Sequence, residues 1–168
     1  MPDPVVPGEE RTAALVVRLL TQRGETVAVA ESLTGGLLVA ALVAVPGASK
    51  VLRGGVVAYM TDLKATLLDV DPDLLARAGA VDRDVALQMA RGASLRLGAD
   101  YGVATTGVAG PDPQDGHPVG EVWVATYDAA AGGGSAAGLA LDPALGREAI
   151  RQVAVAEALD VLADTITA

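Results

Sequence analysis

Apolar positions along this chain follow two alternating patterns, one typical of helices and one typical of buried strands. Helical spacing, as at Ala13, Val16 and Leu20, predicts helices over residues 9–23, 37–45, 61–68, 72–78, 82–97 and 145–165. Short β-rich runs, such as TVAVA, predict strands over residues 26–30, 51–59, 100–105, 119–127 and 135–141. This alternation of strands and helices indicates an α/β fold.

The order of these elements predicts one compact unit. Late in the chain strands follow one another without a helix between them, which predicts an antiparallel member in the sheet. We therefore expect a single three-layer α/β/α sandwich with a mixed, mostly parallel sheet. Residues 1–8 are rich in proline and are predicted to form an N-terminal lead, and residues 9–168 are predicted to form the domain.

Three loops are predicted at the carboxyl ends of strands, at residues 31–36, 59–64 and 105–111. In open α/β sheets, ligands bind outside the carboxyl ends of the parallel strands. Each of these loops carries hydroxyl groups or glycines. The sequence therefore predicts a ligand site where the three loops meet.

The first loop offers hydroxyls and small residues before a predicted helix. Ser32, Thr34 and Gly35 lie there, and the helix N-terminus that follows suits a phosphate or a carboxylate. An equally simple interpretation is that the hydroxyls only cap the helix and the glycines only form the turn. The loop matches neither a Walker motif nor the glycine pattern of dinucleotide-binding folds, which disfavours a dinucleotide-dependent oxidoreductase.

A serine, a tyrosine and a lysine flank the second predicted strand. Ser49 precedes it, and Tyr59 and Lys64 follow it. If Thr61 and Asp62 cap the next helix, the helix dipole and partial burial lower the pKa of Lys64, and a neutral lysine can activate a serine for amide hydrolysis. The alternative leaves Ser49 as a cap, Tyr59 in the core and Lys64 on the surface.

The third loop could enclose a substrate with backbone N–H groups. Thr105, Thr106, Gly107 and Gly110 lie in this glycine-rich segment, which could also be an ordinary long connection.

Two arginines lie one helical turn apart at the start of the last predicted helix. Arg147 and Arg151 could form a guanidinium clamp for phosphate. Pairing with Glu148 on a solvated face is the simpler explanation.

Composition excludes several chemistries. The net charge of −9 disfavours nucleic-acid binding, and the absence of cysteine excludes thiolate catalysis and zinc-thiolate sites. With His117 as the one histidine, a site with several histidines is impossible. The chain contains two lysines and ten arginines, so Lys64 stands out as a deprotonable amine. The sequence shows no membrane span and no signal peptide, and we expect a cytoplasmic protein without membrane contact.

Six strings occur in order at spacings that resemble the C-terminal domain of the CinA (competence/damage-inducible) family, in its stand-alone nicotinamide-nucleotide amidohydrolase form. They are AESLTGG (30–36), PGAS (46–49), GGVVAY followed by K (54–64), TTGVAGP (105–111), HPVGEVWVA (117–125) and GREAIR (146–151). The resemblance implies hydrolysis of nicotinamide mononucleotide to nicotinate mononucleotide and ammonia, in pyridine nucleotide salvage. It implies a serine-lysine mechanism without metal or cofactor and at least a homodimer.

The resemblance also implies roles for individual residues. Ser49 would be the nucleophile, Lys64 the general base and Tyr59 a hydroxyl that orients the proton, although Ser32 also lies near the predicted pocket. The implied substrate-binding residues are Ser32, Thr34, Gly35, Thr105, Thr106, Gly107, Gly110 and Arg147. A nucleotide-binding accessory protein without catalysis is the alternative function.

Overall fold

The computed structural model describes residues 8–168, so the predicted lead lies outside the described residues except for Gly8, which already begins the first helix. Six helices are present in this range: α1 (Gly8–Arg23), α2 (Leu37–Val43), α3 (Thr61–Leu68), α4 (Pro72–Ala78), α5 (Arg83–Leu97) and α6 (Gly146–Thr167). The strands are β1 (Val27–Glu31), β2 (Leu52–Val57), β3 (Tyr101–Gly107), β4 (Glu121–Asp128) and β5 (Gly133–Ala140). Two 3₁₀ turns cover Ala48–Lys50 and Pro143–Leu145.

The five strands form one mixed sheet in the order β2-β1-β3-β4-β5. β1 pairs in parallel with β2 and β3, whereas β4 pairs antiparallel with β3 and β5. The predicted antiparallel member is therefore β4, and the predicted α/β sandwich is confirmed.

Alternation along β1 separates the two helical layers. Val27 and Val29 pack in one hydrophobic cluster with α1, α2 and α6, whereas Ala28 and Ala30 pack in a second cluster with α3, α4 and α5. Successive strand residues point to opposite faces of the sheet, so the two alanines of β1 both face the second layer. That layer can therefore approach the sheet closely.

Two glycines permit backbone contact in the second layer. A Cβ atom at Gly102 of β3 would overlap the carbonyl of Ala90 on α5, and one at Gly92 of α5 would overlap the carbonyl of Leu68. Because Leu68 ends α3, this contact holds α3 against α5. It thereby fixes the helix that carries Lys64.

The start of α3 corrects one local prediction. Met60 is the N-cap residue, in an extended conformation, and no side chain caps the helix. Thr61 and Asp62 lie inside the first turn, so the predicted capping pair is wrong. The extended Met60 continues the direction of the chain after β2, and the helix begins one residue later.

None of the helices within residues 8–168 combines the length and the apolar character that crossing a membrane requires.

Candidate active site

A pocket of about 200 Å³ opens at the carboxyl ends of β1, β2 and β3, where the three predicted loops meet. It brings together these predicted residues: Ser32, Tyr59, Lys64, Thr106, Gly107, Gly110 and Arg147. It is also lined by residues that the sequence did not predict as site residues: Leu33, Met60, Thr61, Ala80, Val81, Val108, Ala109, Asp112 and Gln114.

A buried amine and a serine hydroxyl lie in contact at the base of this pocket. The side chain of Lys64 is completely buried, and its Nζ donates to Ser32 Oγ at 3.0 Å and to the carbonyl oxygen of Ala58 at 2.8 Å. Ser32 follows β1 and Ala58 follows β2, so the two strand ends hold the amine between them. This is hydrogen-bond geometry for proton transfer between the serine and the lysine.

The surroundings of Lys64 make its amine easier to deprotonate. Burial lowers the pKa of Lys64 from 10.5 to about 8, because desolvation penalises the ammonium form. Lys64 forms no ion pair with a carboxylate of the described chain that would restore the charge. At neutral to mildly alkaline pH a useful fraction of Lys64 is therefore the free base.

The structure separates Ser49 from Lys64 and corrects the predicted pairing of the two. Ser49 lies in the 3₁₀ turn before β2, on a different surface pocket beside Val43 and Leu52. The six residues of β2 span about 20 Å. Ser49 is at the amino end of the strand and Lys64 is beyond its carboxyl end, so the serine that meets the lysine is Ser32.

The predicted anion site at the start of α2 is occupied by the protein itself. The buried carboxylate of Glu31 accepts hydrogen bonds from the N–H groups of Gly36 (3.0 Å), Leu38 (3.1 Å) and Val39 (2.9 Å). These are N–H groups that a phosphate would otherwise bind. Glu31 therefore replaces the predicted ligand, and Gly35 is exposed outside the pocket.

Two predicted threonines act inside the protein rather than on the pocket wall. Thr34 and Thr105 are completely buried, and their hydroxyls share a hydrogen bond of 2.7 Å. This bond joins the loop after β1 to β3. Both residues therefore stabilise the loop that carries Ser32 and do not contact the pocket.

We expect Glu31→Gln to destabilise the protein by about 2–3 kcal/mol, because the three N–H groups at the start of α2 would face a neutral amide instead of a carboxylate. The measurement is the free energy of unfolding in urea at pH 7. Glu148→Gln, on the exposed start of α6, is the control and should change that free energy by less than about 0.5 kcal/mol. Equal stability of Glu31→Gln and the original protein would contradict the capping role.

Arg147 connects the tyrosine loop to the glycine-rich loop. Its guanidinium donates to the carbonyl oxygen of Gly110 at 2.5 Å and to the hydroxyl of Tyr59 at 3.0 Å. Tyr59 is 55% exposed, so its ring is open to a ligand and does not belong to the core. Arg147 therefore provides a positive charge on the pocket wall.

Arg151 does not join Arg147 in a clamp. It is absent from the pocket wall and donates to the carbonyl oxygens of Leu33 and Thr34. The two-arginine phosphate clamp, which the sequence left open beside the simpler pairing with Glu148, does not form, because α6 directs the second guanidinium into the loop after β1.

The connection between α4 and α5 supplies the pocket wall that the sequence interpretation missed. The Thr106 hydroxyl donates to the carbonyl oxygen of Ala80 at 2.6 Å and fixes Ala80 and Val81 beside the site. Neither alanine nor valine carries a chemical signal, so only the tertiary structure reveals their position.

The loop after Gly110 brings a carboxylate to the pocket. Asp112 and Gln114 line it, whereas His117 lies outside it and contacts the Glu121 carboxylate at 3.0 Å. Within residues 8–168 no group of three or more potential metal ligands forms.

Fold and site together define a mixed-sheet α/β protein with a buried serine-lysine pair in a pocket at the strand ends. The family model described as the CinA C-terminal domain matches residues 9–166, and the chain belongs to this family. The predicted resemblance is confirmed.

Curated relatives and solved structures agree with this assignment. A CinA-like protein of Frankia casuarinae is 53% identical over 116 residues, which are 69% of this chain and 27% of that protein. A CinA-like protein of Gloeobacter violaceus is 46% identical over 155 residues, which are 92% of this chain and 36% of that protein. The chain therefore spans about a third of the length of these relatives.

The structural likeness extends over almost the whole fold. The competence/damage inducible protein CihA from Agrobacterium tumefaciens superposes with a TM-score of 0.91 at 36% identity, covering 97% of this chain and 98% of that one. A CinA superfamily protein from Klebsiella pneumoniae gives a TM-score of 0.88 at 31% identity, covering 95% and 98%.

Proposed function

We propose that this protein hydrolyses the carboxamide of nicotinamide mononucleotide to nicotinate mononucleotide and ammonia, with Ser32 as the nucleophile and Lys64 as the general base. The observation that carries the proposal is the 3.0 Å contact between Ser32 Oγ and the buried amine of Lys64 at the base of the pocket. Family membership supports it, because the resemblance implies this reaction.

The first half of the proposed reaction forms an ester on Ser32. Neutral Lys64 accepts the Ser32 proton as Oγ attacks the carboxamide carbon, and the resulting ammonium donates a proton to the departing nitrogen. The C–N bond breaks and ammonia leaves. The carbonyl of Ala58, 2.8 Å from Nζ, keeps the amine oriented throughout.

The second half releases the acid. Lys64 is again neutral after ammonia leaves and takes a proton from water, which attacks the ester carbon. Ser32 recovers its proton from Lys64 as the ester bond breaks. One water is consumed in total, and no redox partner is needed.

The tetrahedral intermediate requires hydrogen-bond donors for its oxyanion. We assign these to the glycine-rich segment that lines the pocket. The N–H of Val108 already donates to the carbonyl of Glu121 at 2.9 Å, so we assign the role to the N–H groups of Ala109 and Gly110.

The charges on the pocket wall suit a substrate that carries both a negative and a positive charge. Arg147 supports the anionic phosphate, and Asp112 supports the cationic pyridinium ring. The exposed ring of Tyr59 provides a face on which the pyridinium can stack. A neutral or purely anionic amide would use only part of this arrangement.

The test is ammonia release from nicotinamide mononucleotide by the purified protein in the presence of EDTA. We expect turnover in EDTA and a much lower kcat/KM for the riboside, which lacks the phosphate that Arg147 would bind. Nicotinate mononucleotide is identified by chromatography as the second product.

Two other outcomes are informative. Binding of the nucleotide without turnover, measured by thermal shift, would favour the accessory protein without catalysis. If the protein neither binds nor turns over nicotinamide mononucleotide, this substrate is excluded. Self-association, which the resemblance implies, and a cytoplasmic location, which the sequence analysis predicts, stay predictions.

A further inference from the structure

Arg151 is the second arginine of α6, and its guanidinium reaches the turn that carries Ser32. Nε donates to the carbonyl oxygen of Leu33 at 2.9 Å, and Nη2 donates to the carbonyl oxygen of Thr34 at 3.0 Å. A Cβ atom on Gly35 would lie only 3.4 Å from the same Nη2. The guanidinium therefore lies next to three successive residues of this turn.

The backbone of Ser32 is restrained on both of its sides. Its N–H donates to the carbonyl of Thr105 on β3 at 3.0 Å, and its carbonyl accepts from the N–H of Gly35 at 3.1 Å. Within residues 8–168, the carbonyl of Leu33 accepts a hydrogen bond only from Arg151. Arg151 therefore holds the Leu33–Thr34 peptide unit, which is the second peptide unit after the serine.

We infer that Arg151 is a positioning residue for the nucleophile and acts through the backbone of Leu33 and Thr34. The inference rests on the proposed role of Ser32. If the backbone at Leu33 and Thr34 shifted, it would carry Ser32 with it and move Oγ away from Lys64 Nζ. Small misplacements of reacting groups cost large factors in rate. Arg151 does not line the pocket, so its loss leaves the substrate contacts intact.

Two features distinguish this role from general support of the fold. Lys64 is held by burial and by Ala58, neither of which involves Arg151. The pH dependence set by Lys64 therefore stays in place when Arg151 is removed. A lysine at this position carries one compact ammonium, which cannot reproduce the planar two-carbonyl contact.

The experiment compares Arg151→Ala and Arg151→Lys with the original protein in the hydrolysis of nicotinamide mononucleotide. For Arg151→Ala we expect kcat to fall about 10- to 100-fold while KM changes by less than about threefold. The rise of activity with pH should remain centred near 8. Arg151→Lys should recover part of kcat.

A second measurement does not depend on the substrate. A fluorophosphonate probe reacts with activated serines, and mass spectrometry gives the rate at which Ser32 is labelled. We expect Arg151→Ala to slow this labelling by a factor similar to its loss of kcat. If the original protein is labelled but releases no ammonia, the proposed substrate fails and the labelling rates still test Arg151.

Arg53→Ala is the matched control, because Arg53 also donates from its guanidinium to a backbone carbonyl, that of Leu97 at 2.9 Å, outside the pocket. It should leave kcat and the labelling rate unchanged. Unchanged kcat and labelling in Arg151→Ala, or an effect on KM alone, would overturn the inference. An original protein that shows neither labelling nor turnover would overturn it together with the Ser32–Lys64 pair.

Discussion

Ser32→Ala is expected to lower kcat for ammonia release by about a thousandfold or more, while Ser49→Ala keeps kcat within about twofold of the original protein. The reason is geometric. Ser32 Oγ lies 3.0 Å from the amine of Lys64, whereas Ser49 lies before β2 and outside the pocket. Steady-state kinetics with nicotinamide mononucleotide provide the measurement.

Because Ser32 is buried, its variant must also be shown to be folded. Circular dichroism and a cooperative urea transition serve this purpose, since alanine at this position removes one hydrogen bond and leaves Ala58 as a partner of Lys64. Near-normal turnover in folded Ser32→Ala would refute the assigned nucleophile. Loss of turnover in Ser49→Ala would instead support the predicted pairing of Ser49 with Lys64.

Lys64→Met should abolish turnover and at the same time stabilise the protein at pH 7. Lowering the pKa of Lys64 from 10.5 to about 8 means that the folded protein holds this proton less tightly than the unfolded chain. The difference corresponds to about 3 kcal/mol of lost stability at any pH below both values. Methionine fills a similar volume without a charge, so this cost disappears.

The lowered pKa of Lys64 also fixes the sign of the pH dependence of stability. Between pH 8 and 10.5 the unfolded chain binds more protons at this position than the folded protein, so the contribution of Lys64 to stability rises with pH across that window. The stabilising effect of Lys64→Met should therefore be largest at pH 7 and shrink by pH 10. Urea unfolding of both proteins at the two pH values measures it.

Lys50→Met is the control for this experiment, because Lys50 is the other lysine of the chain and is exposed. It should change neither turnover nor the pH dependence of unfolding. A stability gain from Lys64→Met that is the same at pH 7 and pH 10 would show that packing, and not the buried charge, is responsible.

The fold could be predicted from the sequence because its signals are local. The β1 pattern of buried small and branched residues marks a strand that is covered on both faces. The glycine at position 98 and the aspartate at position 82 bound α5, where the structure shows Asp82 accepting hydrogen bonds from the N–H groups of Asp84 and Val85. Such features depend on residues a few positions apart, which a single sequence displays directly.

The position of the nucleophilic serine had a local signal in the sequence, although the resemblance pointed to Ser49. Ser49 precedes a predicted parallel strand and Ser32 follows one, and ligand sites form at carboxyl ends. Strand polarity alone therefore favoured Ser32. The structure adds the decisive contact, since the Lys64–Ser32 hydrogen bond joins residues 32 positions apart.

The sequence by itself determined the α/β class, the mixed sheet, the three loops at the strand ends and the family, because each depends on periodicity or on short strings. Only the tertiary structure decided which hydroxyl meets Lys64 and that Glu31 occupies the start of α2. It also decided that the two arginines of α6 serve different loops. Arg151 reaches Leu33 across 118 positions, and contacts over such distances exist only after the layers have packed.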